Sequence, residues 1–353
     1  MSLEILVVDD SALLRRVECD IINSDNKFKV TDTCKDGLEA LEKLRTKKYD
    51  GVVLDINMPR MDGLELLQQL QKEKIKTNIV MASTLTVEGA DEAIKSLELG
   101  AIDFVTKPSN IIEAKGDAFK KALLDVLYAA TKAKVHFKKP PLTPAADKTA
   151  ASSVNKLKKP GQNKIIAIAS STGGPKALQS VIPKIPADID APVVLVQHMP
   201  AGFTSSMAAR LNELSKVQVK EAEDGELLKK GVVYIAPGGK HIVVNKKGAS
   251  HVIGYSDMPP IGGLKPCANI MFDSLGQTGF DEVVCVVLTG MGADGTNGIL
   301  SLGKKKSVHV IAQDESSCIV YGMPRAIYEA GVVDEVVALS KVAETITKNV
   351  GVK

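Results

Sequence analysis

Residues 164–175 read KIIAIASSTGGP: an unbroken apolar run, two serines, a threonine, paired glycines and a proline. The run has the length and β-branched content of a strand buried on both faces. The glycines permit a tight turn and a close backbone approach, and Pro175 suits the first turn of a helix. Strand, turn and helix in that order predict a βα unit with Ser171 at its corner, near free backbone N–H groups and the positive end of the helix. Two further runs end the same way. PVVLVQHM (192–199) brings His198 to a strand end before Pro200, and DEVVCVVLTGMGADG (281–295) carries Asp294 past a glycine-rich turn. Helical patterns at 173–182, 204–214, 269–277 and 298–306 accompany them, so this half predicts a doubly wound, largely parallel α/β domain. Alternating runs flanking GG and KKG over 232–255 predict a β-hairpin.

Open α/β sheets place their sites at the carboxyl ends of strands, and Ser, His and Asp together make an acyl-transfer triad. Singly, each has a plainer reading. STGGP binds phosphate or merely turns the chain, His198 packs in a core, and Asp294 caps a helix. Together, each at a strand end, they predict a nucleophile, a general base and its orienting carboxylate. Ser170 competes with Ser171 for the first role; Ser171 is favoured because it directly precedes the TGG turn.

Working back to the amino terminus, strand-like runs at 4–10, 29–34, 50–56, 77–83 and 101–108 alternate with helical patterns such as GLEALEKLR (37–45) and GLELLQQLQKE (63–73). Five such units within residues 1–128 predict a flavodoxin-like (βα)5 domain. Asp9 and Asp10 end its first strand, Asp55 the third, Ser83 and Thr84 the fourth, and Lys107 the fifth. Three carboxylates, a hydroxyl and an ammonium then share one rim, a phosphoryl-transfer set. Clustered acids repel unless a hard cation such as Mg²⁺ sits among them, and a central carboxylate can serve as nucleophile.

Composition limits the class. The chain has 353 residues, 44% of them hydrophobic, enough for two cores. No apolar run approaches the roughly 20 residues of a membrane span, and MSLEILVVDD carries acids where a signal peptide would carry positive charge, so a cytoplasmic location is expected. Five cysteines, odd in number and unclustered, predict reduced thiols, no disulfide and no zinc. The net charge of +3 is local: residues 131–163 hold eight lysines against Asp147 alone, leaving the rest net acidic. That Lys-, Pro- and Ser-rich stretch reads as a basic flexible linker over 129–163, followed by the second domain at 164–353.

The first half, through VVDDS (7–11), LDINMPRMDG (54–63), MAST (81–84) and FVTKP (104–108), resembles the response-regulator receiver domain. The resemblance implies Asp55 as phospho-acceptor, and Mg²⁺ held by Asp10, Asp55 and the carbonyl of Asn57 with Asp9 assisting. It implies Ser83 and Lys107 at the phosphoryl group, Phe104 as an aromatic that reorients, and a histidine kinase as donor. The second half, through IAIASSTGGP, LVQHMPAGFT, YIAPGGKHI, LTGMGADG and AQDESSCIVYGMPRAI, resembles the catalytic domain of chemotaxis protein-glutamate methylesterases, the CheB family, over about residues 164–345. That resemblance implies hydrolysis of γ-glutamyl methyl esters on methyl-accepting chemoreceptors with no cofactor for the ester reaction. It also implies deamidation of receptor glutamines, and contact with membranes only through those receptors. Met291, with Thr172 in support, is the oxyanion position it implies. An unphosphorylated receiver covering the Ser171 cleft is the regulation expected of this layout.

Ala169, Ser170 and Ala293 depart from the family's commoner residues, and Asn269 stands where many members have Asp; Ala169 is expected to adjust the corner beneath the nucleophile and Asn269 the charge of the cleft. Two readings from other classes compete. A receiver-controlled docking module would have no use for an intact Ser171, His198 and Asp294. A nucleic-acid regulator has only the basic segment in its favour, with no helix-turn-helix after the receiver, so nucleic acid is not expected as a partner.

Overall fold

The computed structural model describes residues 2–132, apart from 109 and 115, and residues 163–352. The first unit runs β1 (Leu3–Val8), α1 (Ala12–Asn23), β2 (Phe28–Cys34), α2 (Gly37–Thr46), β3 (Gly51–Asp55), α3 (Gly63–Lys72), β4 (Ile79–Ser83), α4 (Val87–Glu98), β5 (Asp103–Thr106), a single turn α5 (Ile111–Ala114) and α6 (Asp117–Lys132). Helix starts are marked chemically: the side chains of Ser11, Asp36, Asp62 and Thr86 each accept a first-turn backbone N–H, and Asp62 with Glu65 closes a reciprocal capping box. The strands form one parallel sheet in the order β2-β1-β3-β4-β5. Strand order reverses between β1 and β3, and the crevice there receives Asp9, Asp10 and Asp55. Helix α6 continues to Lys132, four residues into the stretch assigned to the linker, because Ala129 and Ala130 still pack in the core. Residues 133–162 of that assignment lie outside the described residues.

The second unit contains β6 (Lys164–Ser170), α7 (Gly174–Val181), β7 (Val193–Gln197), α8 (Phe203–Leu214), β8 (Gln218–Glu221), β9 (Val232–Ile235), β10 (His241–Lys247), β11 (Ser250–Ser256), α9 (Ala268–Ser274), β12 (Glu282–Val287), α10 (Thr296–Gly303), β13 (Ser307–Gln313), α11 (Met323–Glu329), β14 (Glu335–Val337) and α12 (Val342–Val350). Seven strands make a parallel sheet ordered β14-β13-β12-β6-β7-β9-β8. Every residue of β6 is buried, as a strand covered on both faces requires. The switch point lies between β6 and β12, so Ser171 and Asp294 follow neighbouring strands, with His198 one strand further at the end of β7. The hairpin is narrower than expected: β10 and β11 pair antiparallel around the KKG turn, whereas Val232–Ile235 joins the main sheet beside β7 and β8. The PGG segment is therefore the link between that sheet and the hairpin.

The two units touch along β5, α4 and α6 of the first. Phe104 stacks on Phe203 with ring centroids 4.6 Å apart, Arg210 donates twice to Glu98 at 2.6 and 3.0 Å, and Ile319 packs against the core of the first unit. No helix among the described residues is long and apolar enough to cross a membrane.

Candidate active site

At the reversal point of the first sheet, the ligand atoms of Asp9, Asp10 and Asp55 lie within 4.8 Å of one another. Lys107 bridges two of them, its Nζ 2.6 Å from Asp9 and 2.8 Å from Asp55. Burial, with Asp9 and Asp10 nearby, outweighs Lys107 and pushes the Asp55 carboxyl up to about 6. Burial disfavours the Lys107 ammonium, yet Asp55 and Asp9 hold its pKa above the usual value. Three carboxylates against one ammonium leave an excess of negative charge that a divalent cation fits, and all the donors are hard oxygens, as Mg²⁺ prefers. Asn57 is exposed beside them, its amide donating to Glu92 at 3.2 Å. The Ser83 hydroxyl donates to the Gly89 carbonyl at 2.7 Å, turned toward α4.

Behind this cluster lies Glu18 of α1. It is buried with neither carboxyl oxygen partnered, and burial, with Asp9 next in size, pushes its carboxyl up to about 8. A carboxyl raised this far above its unfolded value stabilises the fold only while protonated; that contribution is present at acid pH and lost as pH rises through about 8. Glu18→Leu is therefore expected to raise the unfolding free energy of the receiver, read from urea titrations, by about 3 kcal/mol at neutral pH and by less below pH 5. A gain that does not grow with pH would contradict this reading of Glu18.

In the second unit, Ser171 and His198 line one cavity of about 400 Å³, together with Thr172 and Lys265; the first unit closes it with Asp103, Phe104 and Val126. Ser170 is excluded from it. That side chain is fully buried and its Oγ meets Gln197 Oε1 at 2.7 Å. Gln197 in turn donates from Nε2 to the carbonyls of Ser171 (3.0 Å) and His198 (3.1 Å), tying the two strand ends together. The corner is tight. A Cβ at Gly174 would overlap Gln197 Oε1, and one at Gly290 would collide with the Met323 sulfur and come within 2.8 Å of Ser171 Cβ. Thr289 completes it, its carbonyl accepting the Ser171 N–H at 3.1 Å and its hydroxyl donating to the Thr172 carbonyl at 3.0 Å.

His198 Nε2 lies 2.8 Å from Asp294 Oδ2. Since the carboxylate only accepts, Nε2 carries the hydrogen of the neutral ring and Nδ1 is left as the base. No hydrogen bond joins Ser171 Oγ to His198 among the described residues, a looseness usual before substrate enters. Asp294 is gripped on both oxygens. Oδ1 accepts from the Cys267 thiol (3.1 Å), Asn269 N–H (3.0 Å) and Gly295 N–H (2.9 Å), and Oδ2 accepts from Ala268 N–H at 2.6 Å as well as from His198. Burial opposes its charge, but His198 and these donors hold the carboxyl down to about 2. Among the described residues no acceptor takes the N–H of Thr172 or Met291, whereas Gly173 N–H donates to Asp103 Oδ2 at 3.1 Å.

Two of the residues that depart from the family's commoner ones make contacts at the turn after Asp294. Asn269 accepts Gly295 N–H (3.0 Å) and Gly298 N–H (2.7 Å) with its side-chain oxygen, so it secures the turn after Asp294. Ala169 faces Gly295 across the β6/β12 boundary, beneath that same turn. Gln197, Thr289, Cys267, His241 and Asp103 were not singled out from sequence. The one local signal was for Gln197 and Asp103, polar residues inside apolar runs.

A family model described as CheB methylesterase matches residues 166–346, and one described as response regulator receiver domain matches residues 5–115. The protein-glutamate methylesterase/protein-glutamine glutaminase of Halalkalibacterium halodurans is 41% identical over 348 residues, covering 98% of each chain. The Bacillus subtilis protein of that name is 42% identical over 352 residues, again covering 98% of each. Among solved structures, the Thermotoga maritima CheB methylesterase catalytic domain is 40% identical with a TM-score of 0.52, covering 53% of this chain and 99% of that one.

Proposed function

The chain belongs to the CheB methylesterase family, with a response regulator receiver domain ahead of its catalytic domain, and on that premise we propose that it hydrolyses γ-glutamyl methyl esters of chemoreceptors at Ser171 under control of phosphorylation at Asp55. The His198–Asp294 pair opening onto the cavity that holds Ser171 is the observation that carries this reading. His198 Nδ1 takes the Ser171 proton as Oγ attacks the ester carbonyl, and Asp294 stabilises the imidazolium through Nε2–H. The N–H groups of Thr172 and Met291 are free to receive the oxyanion; one such donor contributes roughly 3 kcal/mol. His198 returns the proton to the leaving oxygen, methanol departs, and water repeats the sequence to free the glutamate. With a glutamine side chain the same transfer releases ammonia. The protein acts in the cytoplasm and meets membranes through its receptor substrates. Receptor peptides followed by mass spectrometry test the reading: methyl-glutamate and glutamine sites should both become glutamate, and unchanged peptides beside a retained receptor complex would favour a docking module.

Asp10, Asp55 and the carbonyl of Asn57, with Asp9, would hold Mg²⁺, whose charge supports phosphoryl transfer. Asp55 is the acceptor for a phosphoryl group donated by a histidine kinase, Lys107 supplies the counter-charge and Ser83 swings from Gly89 toward the new oxygens. Unphosphorylated, the receiver covers the cavity, with Phe104 on Phe203 and Asp103 on the Gly173 N–H. Movement of Ser83 and Phe104 loosens that cover.

Asp103 makes the cover pH-sensitive. Buried and, among the described residues, facing backbone N–H groups only, its carboxyl is pushed up to about 7 by burial. The closed form thus holds this proton more tightly than an opened one, where the carboxyl is hydrated. Acid favours closure, and rising pH through about 7 favours opening. The ratio of phosphodonor-free to phosphodonor-stimulated activity should rise across that range. Asp103→Asn, neutral throughout and still able to accept from Gly173, should lower the ratio several-fold at pH 8 and flatten it; a higher ratio would contradict the latch.

A further inference from the structure

Cys267 and His241 belong to no part of the triad, yet they stand directly behind it. His241 opens β10 and is fully buried. Its Nδ1 accepts the Cys267 N–H at 3.1 Å, so Nε2 carries the hydrogen and donates to the Pro259 carbonyl at 3.2 Å. Both ring nitrogens are thereby committed to a neutral imidazole, and burial keeps its pKa below the usual histidine value. Cys267 then presents its thiol to Asp294 Oδ1 at 3.1 Å, and the two residues after it present their N–H groups to the same carboxylate. Burial, with Asp294 next, pushes the thiol up to about 11, so it stays a donor through the working pH range.

We propose that Cys267, anchored by His241, is a positioning residue for the esterase reaction: its thiol fixes the Asp294 carboxylate that orients His198. This inference rests on the triad reading above. The titratable groups facing Asp294 are His198 from the end of β7, Cys267 ahead of α9 and His241 from β10, while Lys265 faces His241 from the connecting loop. Removing the thiol takes one donor from Oδ1. The carboxylate is then less restrained and less neutralised, so it aligns the imidazole less well and holds the protonated ring more strongly.

The test uses the full-length chain, comparing Cys267→Ala, Cys267→Ser, His241→Phe and His241→Asn for methanol release from methylated receptors across pH. Cys267→Ala should lower kcat about 10- to 100-fold with KM little changed, and move the acid limb of kcat/KM to higher pH. Cys267→Ser, which restores a donor, should recover most of the rate and return the limb. His241→Phe should act like Cys267→Ala, and His241→Asn, whose oxygen can take the Cys267 N–H, should recover part. Should His241→Phe fail to fold, the Ala and Ser pair at Cys267 still decides. A wild-type kcat and pH profile in Cys267→Ala would overturn the proposal. Ser171→Ala run alongside separates the two ideas: activity surviving there sinks the triad itself, whereas its loss beside a wild-type Cys267→Ala sinks only the positioning role.

Discussion

Ser171→Ala is expected to lower kcat for methanol release from methylated chemoreceptors by a factor on the order of 10⁴ to 10⁶, leaving only what the oxyanion donors and substrate binding supply. The side chain lost is small and sits on a cavity wall, so the fold should survive unchanged. Ser170→Ala is the natural control. Its hydroxyl donates to Gln197 inside the protein and never reaches the cavity, so that variant should lose about 1 kcal/mol of stability and keep its rate within about tenfold. Parallel losses in the two variants would mean that the corner, not a particular hydroxyl, matters. A Ser171→Ala enzyme retaining a tenth of its activity would remove the nucleophile from the account.

Asp55→Asn should abolish incorporation of phosphate from a labelled small-molecule phosphodonor and, with it, all stimulation of ester hydrolysis. An amide offers no nucleophilic carboxylate oxygen, and neither Asp9, held by Lys107 and the Ser11 N–H, nor exposed Asp10 stands at the end of β3. Unfolding is not the expected cause of the loss. Because burial and neighbouring acids already push the Asp55 carboxyl up to about 6, a neutral side chain relieves repulsion at pH 7 and should leave the receiver at least as stable. Label persisting in Asp55→Asn would locate the acceptor elsewhere.

The residues concerned close apolar runs, which makes their places readable from sequence. Buried parallel strands announce themselves as continuous Val, Ile and Ala, and whatever polar residue ends such a run stands at the carboxyl edge of the sheet. Ser171, His198 and Asp294 were legible for that reason, as were Asp9, Asp55 and Lys107. What remained hidden depends on contacts between distant parts of the chain. The grip of Cys267 on Asp294 spans 27 residues, and that of Gly173 on Asp103 spans 70. Glu18 sits in a helical stretch, RRVECDII, where a charged residue ordinarily faces water, and only the packing of α1 buries it. The pairing of β9 with β7 and β8, instead of with β10, likewise follows from sheet order, which alternation within 232–255 does not encode. The role of Asn269 at the turn is hidden for a related reason: its partners, the N–H groups of Gly295 and Gly298, come from another strand's turn.

One measurement bears most directly on the whole account: methanol release from methylated receptor membranes by the full-length chain with Mg²⁺ present, before and after a small-molecule phosphodonor is added. A slow release that accelerates on addition, in wild type and not in Asp55→Asn, is the result predicted. No release before or after addition, from a folded protein that takes up phosphate at Asp55, would contradict the esterase and leave a phosphorylation-controlled docking protein in its place.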